Sequence, residues 1–165
     1  MADSSQQPVV QVQLKRLTLA EFIAQDPLLE TSLLLKAVPP TLKAEFLSKA
    51  SLKRLGKGAS IYRIGEMSGP LYLVLRGEVA LENAKGVESH RALKGEFFGE
   101  SEIVDPSAER RGNAKAATDL DFAEFSAEYV ASLLKRIPNL RGVLGETDAG
   151  RRQADGELDD FLNRW

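Results

Sequence analysis

Phe97-Phe98-Gly99-Glu100-Ser101-Glu102-Ile103-Val104-Asp105-Pro106-Ser107-Ala108-Glu109-Arg110-Arg111-Gly112-Asn113-Ala114 is the stretch on which the reading of this chain turns. Two aromatics read as core, and Gly99 after them frees the backbone for a close approach. A short helical turn following a glycine leaves unpaired N–H groups facing outward, which makes a ready anion site. Arg110 then stands on the far side of the loop. An N–H crown with a guanidinium fork suits one phosphate group, and Glu100 is placed to accept hydrogen bonds from sugar hydroxyls.

Around this stretch, residues 51–126 are punctuated by Gly56, Gly58, Gly65, Gly69, Gly77, Gly86, Gly95, Gly99 and Gly112, with short apolar runs between them. Ser60–Ile64 alternates, Leu71–Leu75 is an apolar strand, Glu78–Glu82 alternates again, and Leu120–Phe125 reads as one more. Many short strands joined by glycine turns predict a β sandwich or jelly roll. Before it, residues 1–13 read as a flexible tail, and residues 14–50 as short helices. Thr18-Leu19-Ala20-Glu21 is a capping box opening a helix to about Gln25, and Leu28–Ala37 resumes as an apolar helical segment. Pro39-Pro40 ends that segment, and Thr41–Ala50 follows at helical spacing.

After the roll, residues 127–165 return to helical period. Ala127–Arg136 is one helix and Pro138 opens another. A last segment puts Ala154, Leu158, Phe161 and Trp165 on one face, with Leu162 beside them. Gly142, Gly145, Gly150 and Gly156 each weaken this region by up to about 1 kcal/mol relative to alanine, so a bent or broken helix is expected. Leu158, Phe161, Leu162 and Trp165 are assigned to a lid over a bound base or to a partner-docking surface. A terminal aromatic can staple a helix, cap a purine or dock on a partner.

In its glycines, its Glu100 and its Arg110, the chain resembles the cyclic nucleotide-binding domain family, which includes the bacterial cyclic-AMP receptor proteins and the regulatory subunits of cyclic-AMP-dependent kinase. The resemblance covers about Leu34–Leu144. It rests on the Gly99-Glu100 to Arg110 spacing of the family's phosphate-binding cassette. It rests also on Gly65-Glu66, on the run Leu71–Val79 with Gly77-Glu78, and on Gly58 and Gly95. It implies an α+β fold, a β jelly roll of the double-stranded β-helix type flanked by N-terminal short helices and C-terminal helices, with the cassette at residues 97–114. It implies that Arg110 pairs with the phosphate oxygens, that Glu100 holds the ribose 2'-hydroxyl, and that the N–H groups of Gly99, Glu100 and Ser101 complete the cradle. Where the family commonly has a small hydroxyl residue and then alanine, this chain has Arg111-Gly112. Arg111 and Gly112 join the expected ligand-binding set, and Arg111 either compensates for Glu102 or reaches a larger ligand. Cyclic AMP is the expected ligand, with cyclic GMP or a cyclic dinucleotide as alternatives.

Composition narrows the function classes. Lys plus Arg is 22 against Asp plus Glu at 24 in 165 residues, a formal charge of −2, without the basic excess of a domain that holds nucleic-acid phosphates. Zero cysteines exclude disulfides, thiolate metal sites and cysteine nucleophiles. One histidine, His90, read as solvated in a polar turn, argues against metal chemistry and against a cupin-type enzyme on a similar roll. With no signal peptide and no apolar span, a cytoplasmic non-enzyme is expected, with no cofactor, no metal, no nucleic acid and no membrane partner. Residues 139–165 are too few for a winged helix, so the output is expected to lie in a partner protein, with a homodimer left open. The expected function is a stand-alone cyclic nucleotide sensor. The alternative is a degenerate cyclic nucleotide-binding-like domain acting as a ligand-independent interaction scaffold. Tyr62 and Tyr72 read as packed strand residues, and the Lys43, Lys49, Lys53, Arg54, Lys57 cluster as a solvated face.

Overall fold

The computed structural model describes residues 12–13, 17–66, 70–100 and 109–163. Helix α1 (Leu19–Gln25) begins at the predicted capping box: the Glu21 N–H donates to Thr18 Oγ1 at 3.1 Å, and the Thr18 N–H donates to the Glu21 carboxylate at 3.1 Å. The single helical segment expected over Leu28–Ala37 is in fact two pieces, a 3-10 turn (Pro27–Thr31) and α2 (Leu33–Ala37), because Ser32 between them is extended at ψ 133. Helix α3 (Pro40–Ser48) takes Pro39 as its cap and Pro40 as its first residue, where a missing N–H costs nothing.

Among the described residues, nine strands then build two antiparallel sheets. They are β1 (Val12–Gln13), β2 (Ser51–Leu55), β3 (Ser60–Tyr62), β4 (Leu71–Arg76), β5 (Val79–Glu82), β6 (Glu88–Ala92), β7 (Phe97–Phe98), β8 (Asn113–Ala116) and β9 (Leu120–Phe125). One sheet runs β1-β2-β9-β4-β7 and the other β3-β8-β5-β6. Together they form the expected jelly roll with flanking helices. The tail expected over 1–13 gives up Val12 and Gln13, which pair with Arg54 and Lys53 as an edge strand. His90 likewise lies in β6 opposite Leu81, half-buried, and not in a turn. Nor do Lys53 and Arg54 form a merely solvated face, since they make ion pairs across the β2–β9 ladder with Glu124 at 2.9 Å and Asp121 at 2.7 Å.

The unbroken apolar run of β4 follows from burial on both faces of its sheet. Tyr72 and Val74 point into the roll with Leu55, Val79, Phe98 and Phe122, while Leu71, Leu73 and Leu75 pack outward beneath the helices. There they meet Leu34, Phe46 and Val130, and Phe46 stacks on Phe125 with ring centroids 4.4 Å apart. Gly77 turns β4 into β5 at φ +92, and a Cβ there would stand 2.2 Å from the Asp119 carbonyl oxygen.

Helix α4 (Ala127–Arg136) is capped by Ser126, and α5 (Leu140–Asn163) follows it. The bend expected from the four glycines does not occur: α5 is one continuous helix of 24 residues. Helix propensity is a weak prior that packing overrides. Here α5 is laid along the roll against β6 and α2, and Lys85 Nζ donates to Asn163 Oδ1 at 3.0 Å near its far end.

Candidate functional site

The site is built around the aromatic end of the inner core. Tyr72 and Phe98 stack with centroids 4.9 Å apart, and Tyr62 tilts against both at 6.2 and 6.4 Å. Arg110 lies on this surface, its guanidinium carbon 3.9 Å from the Tyr62 ring centroid. Its Nη1 donates to the Gly99 carbonyl and its Nη2 to the Pro70 carbonyl, each at 3.2 Å. The Arg110 backbone is fixed as well, since its N–H donates to Glu66 O at 2.9 Å and its carbonyl accepts from Gly65 N–H at 2.8 Å. The Gly65-Glu66 pair thus clamps the segment leading into β8, which carries the arginine.

Two glycines are forced by close approach. At Gly99, φ +87, a Cβ would press on the Tyr72 ring at 2.9 Å and on Arg110 Nη1 at 3.1 Å, so glycine makes room for the guanidinium seat. At Gly112 a Cβ would stand 1.8 Å from the Glu82 carbonyl oxygen, so this residue is required by the approach of β5. Beside it, Asn113 Nδ2 donates to Glu82 at 3.0 Å and Lys115 pairs with the same carboxylate at 2.7 Å. Burial pushes the Glu82 carboxyl up, but the bonds from Lys115 and Asn113 outweigh it and hold the group below the usual carboxylate range.

Glu100 is 2% exposed, and a residue from the far end of the chain reaches it. Arg151 on α5 donates from Nη1 to Glu100 Oε1 at 2.8 Å and Oε2 at 2.6 Å, and from Nη2 to the Phe97 carbonyl at 2.8 Å. Around this pair the cavity shared by Tyr62, Glu100, Arg110, Arg111, Gly112 and Arg151 encloses about 40 Å³. Since a water takes up about 30 Å³ in the liquid and ligand pockets run from about 300 Å³ upward, the cavity has no room for a nucleotide with Arg151 in place.

Of the expected binding residues, Gly99, Glu100, Arg110, Arg111 and Gly112 converge on one place, while Ser101 lies outside the described residues. On α5, Leu158 and Leu162 are half-buried, Phe161 is 55% exposed, and Trp165 lies outside the described residues. Sequence reasoning missed Arg151 and the part Tyr62 plays under Arg110. An Arg151-Arg152 pair in a glycine-spaced helix was the only local sign of the former. Among the described residues no cluster of His, Asp and Glu could hold a metal ion, and no helix is long and apolar enough to cross a membrane.

The family model described as cyclic nucleotide-binding domain matches residues 52–137. No curated protein matches the sequence. Among solved structures, a cyclic-AMP-bound PfPKA-R is similar with a TM-score of 0.70 at 16% identity, over 85% of this chain and 48% of that one. The regulatory subunit of a cyclic-AMP-independent protein kinase A from Trypanosoma brucei gives 0.67 at 20% identity, over 85% and 50%. A protein from Ruegeria pomeroyi named for cyclic nucleotide binding gives 0.63 at 22%, over 86% and 63%. The chain therefore spans about half to two-thirds of the length of these structures.

Proposed function

Because the chain belongs to the cyclic nucleotide-binding domain family, we propose that it is a sensor in which a cyclic nucleotide competes with Arg151 for Glu100 and so releases α5 to a partner protein. The observation that carries this reading is the pair of bonds from Arg151 Nη1 to both Glu100 carboxylate oxygens. The carboxylate suited to a ribose 2'-hydroxyl already has a donor, and that donor rides on the element whose displacement would enlarge the cavity. In the liganded state the phosphate is cradled by Arg110 and by the N–H groups of Gly99, Glu100 and Ser101, the ribose takes Glu100, and Arg151 leaves with the helix. A ligand that binds only the open form shifts the population by its differential affinity, which is what makes a binder into a switch.

Cyclic AMP is the first ligand to test, supported by the cyclic-AMP-bound relative. Cyclic GMP and a cyclic dinucleotide follow, since Arg111 lines the same cavity. Family domains of this kind are typically regulatory and not catalytic, and the proposed role is likewise regulatory, in the cytoplasm, with no cofactor and no nucleic acid. The scaffold reading draws on the same small cavity: a Glu100 satisfied by Arg151 needs no ligand. Calorimetric titration with the three nucleotide classes, run beside hydrogen exchange of residues 140–163, separates the two. Saturable heat with faster exchange in α5 supports the sensor, heat without change in α5 reduces it to a binder, and no heat with any nucleotide leaves the scaffold.

A further inference from the structure

Lys43 on α3 belongs to the cation cluster that the sequence reads as a solvated face, yet it is held unlike other lysines of the chain. Lys53, Lys94 and Lys115 reach carboxylates, at 2.9, 2.7 and 2.7 Å. Lys43 Nζ instead donates to the Leu35 carbonyl of α2, where a lysine satisfies a helix-end acceptor. Its side chain is half-buried and lines a cavity of about 200 Å³ between α1, the 3-10 turn, α2 and α3. Ile23, Leu35 and Leu47 give that cavity apolar walls, and the exposed Ala24 and Glu30 stand on its solvent side. Burial holds the Lys43 ammonium below its ordinary value, with the Glu30 charge working the other way.

We infer that Lys43 is an acylation site, at which the amine takes a short acyl group from an activated carboxyl donor, an acyl phosphate or a thioester. A lysine set against apolar walls keeps more of its amine uncharged, and only that form is a nucleophile. The Nζ lone pair attacks the acyl carbon and the N–C bond forms. The C–O or C–S bond to the leaving group then breaks, and one Nζ proton leaves with the phosphate or thiol. The product suits the place. Its amide nitrogen keeps one N–H for the Leu35 carbonyl, the charge that burial disfavours is gone, and the acyl chain enters a cavity with room for about six waters. None of these residues lines the Arg110 cavity, so the inference stands apart from nucleotide binding.

The test treats the whole protein near neutral pH with acetyl phosphate and, separately, with the acetyl thioester of N-acetylcysteamine, and follows initial acylation rates site by site by mass spectrometry. The exposed Lys36, Lys57 and Lys135 are the internal comparators. Lys43 should react about fivefold faster than these in the folded protein and lose that lead in denaturing urea, where no pocket exists. A lead with one donor only identifies the acyl source. Ala24→Glu, at an exposed position of α1, sets a carboxylate beside the cavity and should remove the lead while circular dichroism shows the fold kept. The inference is overturned if Lys43 reacts no faster than the comparators with both donors, if its lead persists in urea, or if folded Ala24→Glu leaves the lead intact. A failure of nucleotide binding in the Arg110 cavity touches none of these readouts.

Discussion

Arg110 and Arg151 are both buried guanidinium groups that meet in one cavity, and the ways they are held differ. Arg110 sits on the roll: the Gly65-Glu66 turn clamps its backbone, two carbonyls take its N–H groups, and the Tyr62 ring centroid lies 3.9 Å from its guanidinium carbon. Arg151 arrives from outside on a single helix and holds a carboxylate and one carbonyl. Moving Arg110 means breaking the backbone clamp of Gly65-Glu66 and the bonds to the Gly99 and Pro70 carbonyls, whereas moving Arg151 means undocking α5 and giving Glu100 another donor. A buried ion pair contributes little net stability, yet removing one partner is costly. In the proposed sensor, Arg110 is therefore the fixed half of the site and Arg151 the exchangeable half.

The largest expected effect bears on the fixed half. Arg110→Ala should cost about 2 to 4 kcal/mol of cyclic nucleotide binding, a loss of roughly 30- to 1,000-fold in calorimetric titration. Equal affinity in the variant would remove Arg110 from the site. Gly112→Ala should lower unfolding stability by about 3 kcal/mol, read by urea denaturation, because its Cβ has no space against the Glu82 carbonyl.

The exchangeable half is tested by Arg151→Met, which should raise nucleotide affinity about tenfold by removing the competitor while lowering the melting temperature of the unliganded protein. Pairing it with Glu100→Gln should recover the melting temperature but not the affinity. If Arg151→Met leaves affinity unchanged, the two arginines are not in exchange and the contrast collapses. A smaller effect is expected farther along the helix. Gly142 and Gly145 have open space around a built Cβ, so alanine at either should stabilise the protein by about 0.5 to 1 kcal/mol in thermal unfolding.

The smallest effect sharpens the contrast from outside the site, at the part-buried bond from Tyr129 and the exposed bond from Arg136 that α4 makes to Glu45 on α3. Burial, aided by the Glu45 hydrogen bond and charge, pushes the Tyr129 phenol up to about 12. A folded-state value above the ordinary one of about 10 means a contribution that is complete below pH 10 and lost as pH rises toward 12. Hydrogen bonds from Arg136 and Tyr129 hold the Glu45 carboxyl below its usual range, so its contribution is lost instead as pH falls through that lowered value. Tyr129→Phe should flatten the alkaline limb of a melting-temperature profile and leave nucleotide affinity untouched.

Local order carried the roll far. The glycine turns, the apolar β4 run and β9 were readable in the sequence, and the structure places β9 at Leu120–Phe125 and β4 at Leu71–Arg76. The edge and linking strands were not. Glu88–Ala92 and Asn113–Ala116 carry few large apolar side chains, and their pairing is decided by the neighbour, β5, that β6 and β8 both find in space. The Gly99-Glu100 to Arg110 spacing pointed to the proposed phosphate end of the site, because both sides of that loop lie within one short span of chain. Arg151 stands 51 residues beyond Glu100, and nothing in its neighbourhood says which carboxylate it will meet. By itself the sequence determined the family, the roll and the fixed arginine, since these follow from local periodicity, turn chemistry and short spacing. Only the tertiary structure decided that α5 runs unbroken along the roll and that its arginine closes on Glu100, because docking energy between distant segments outweighs the local cost of the glycines.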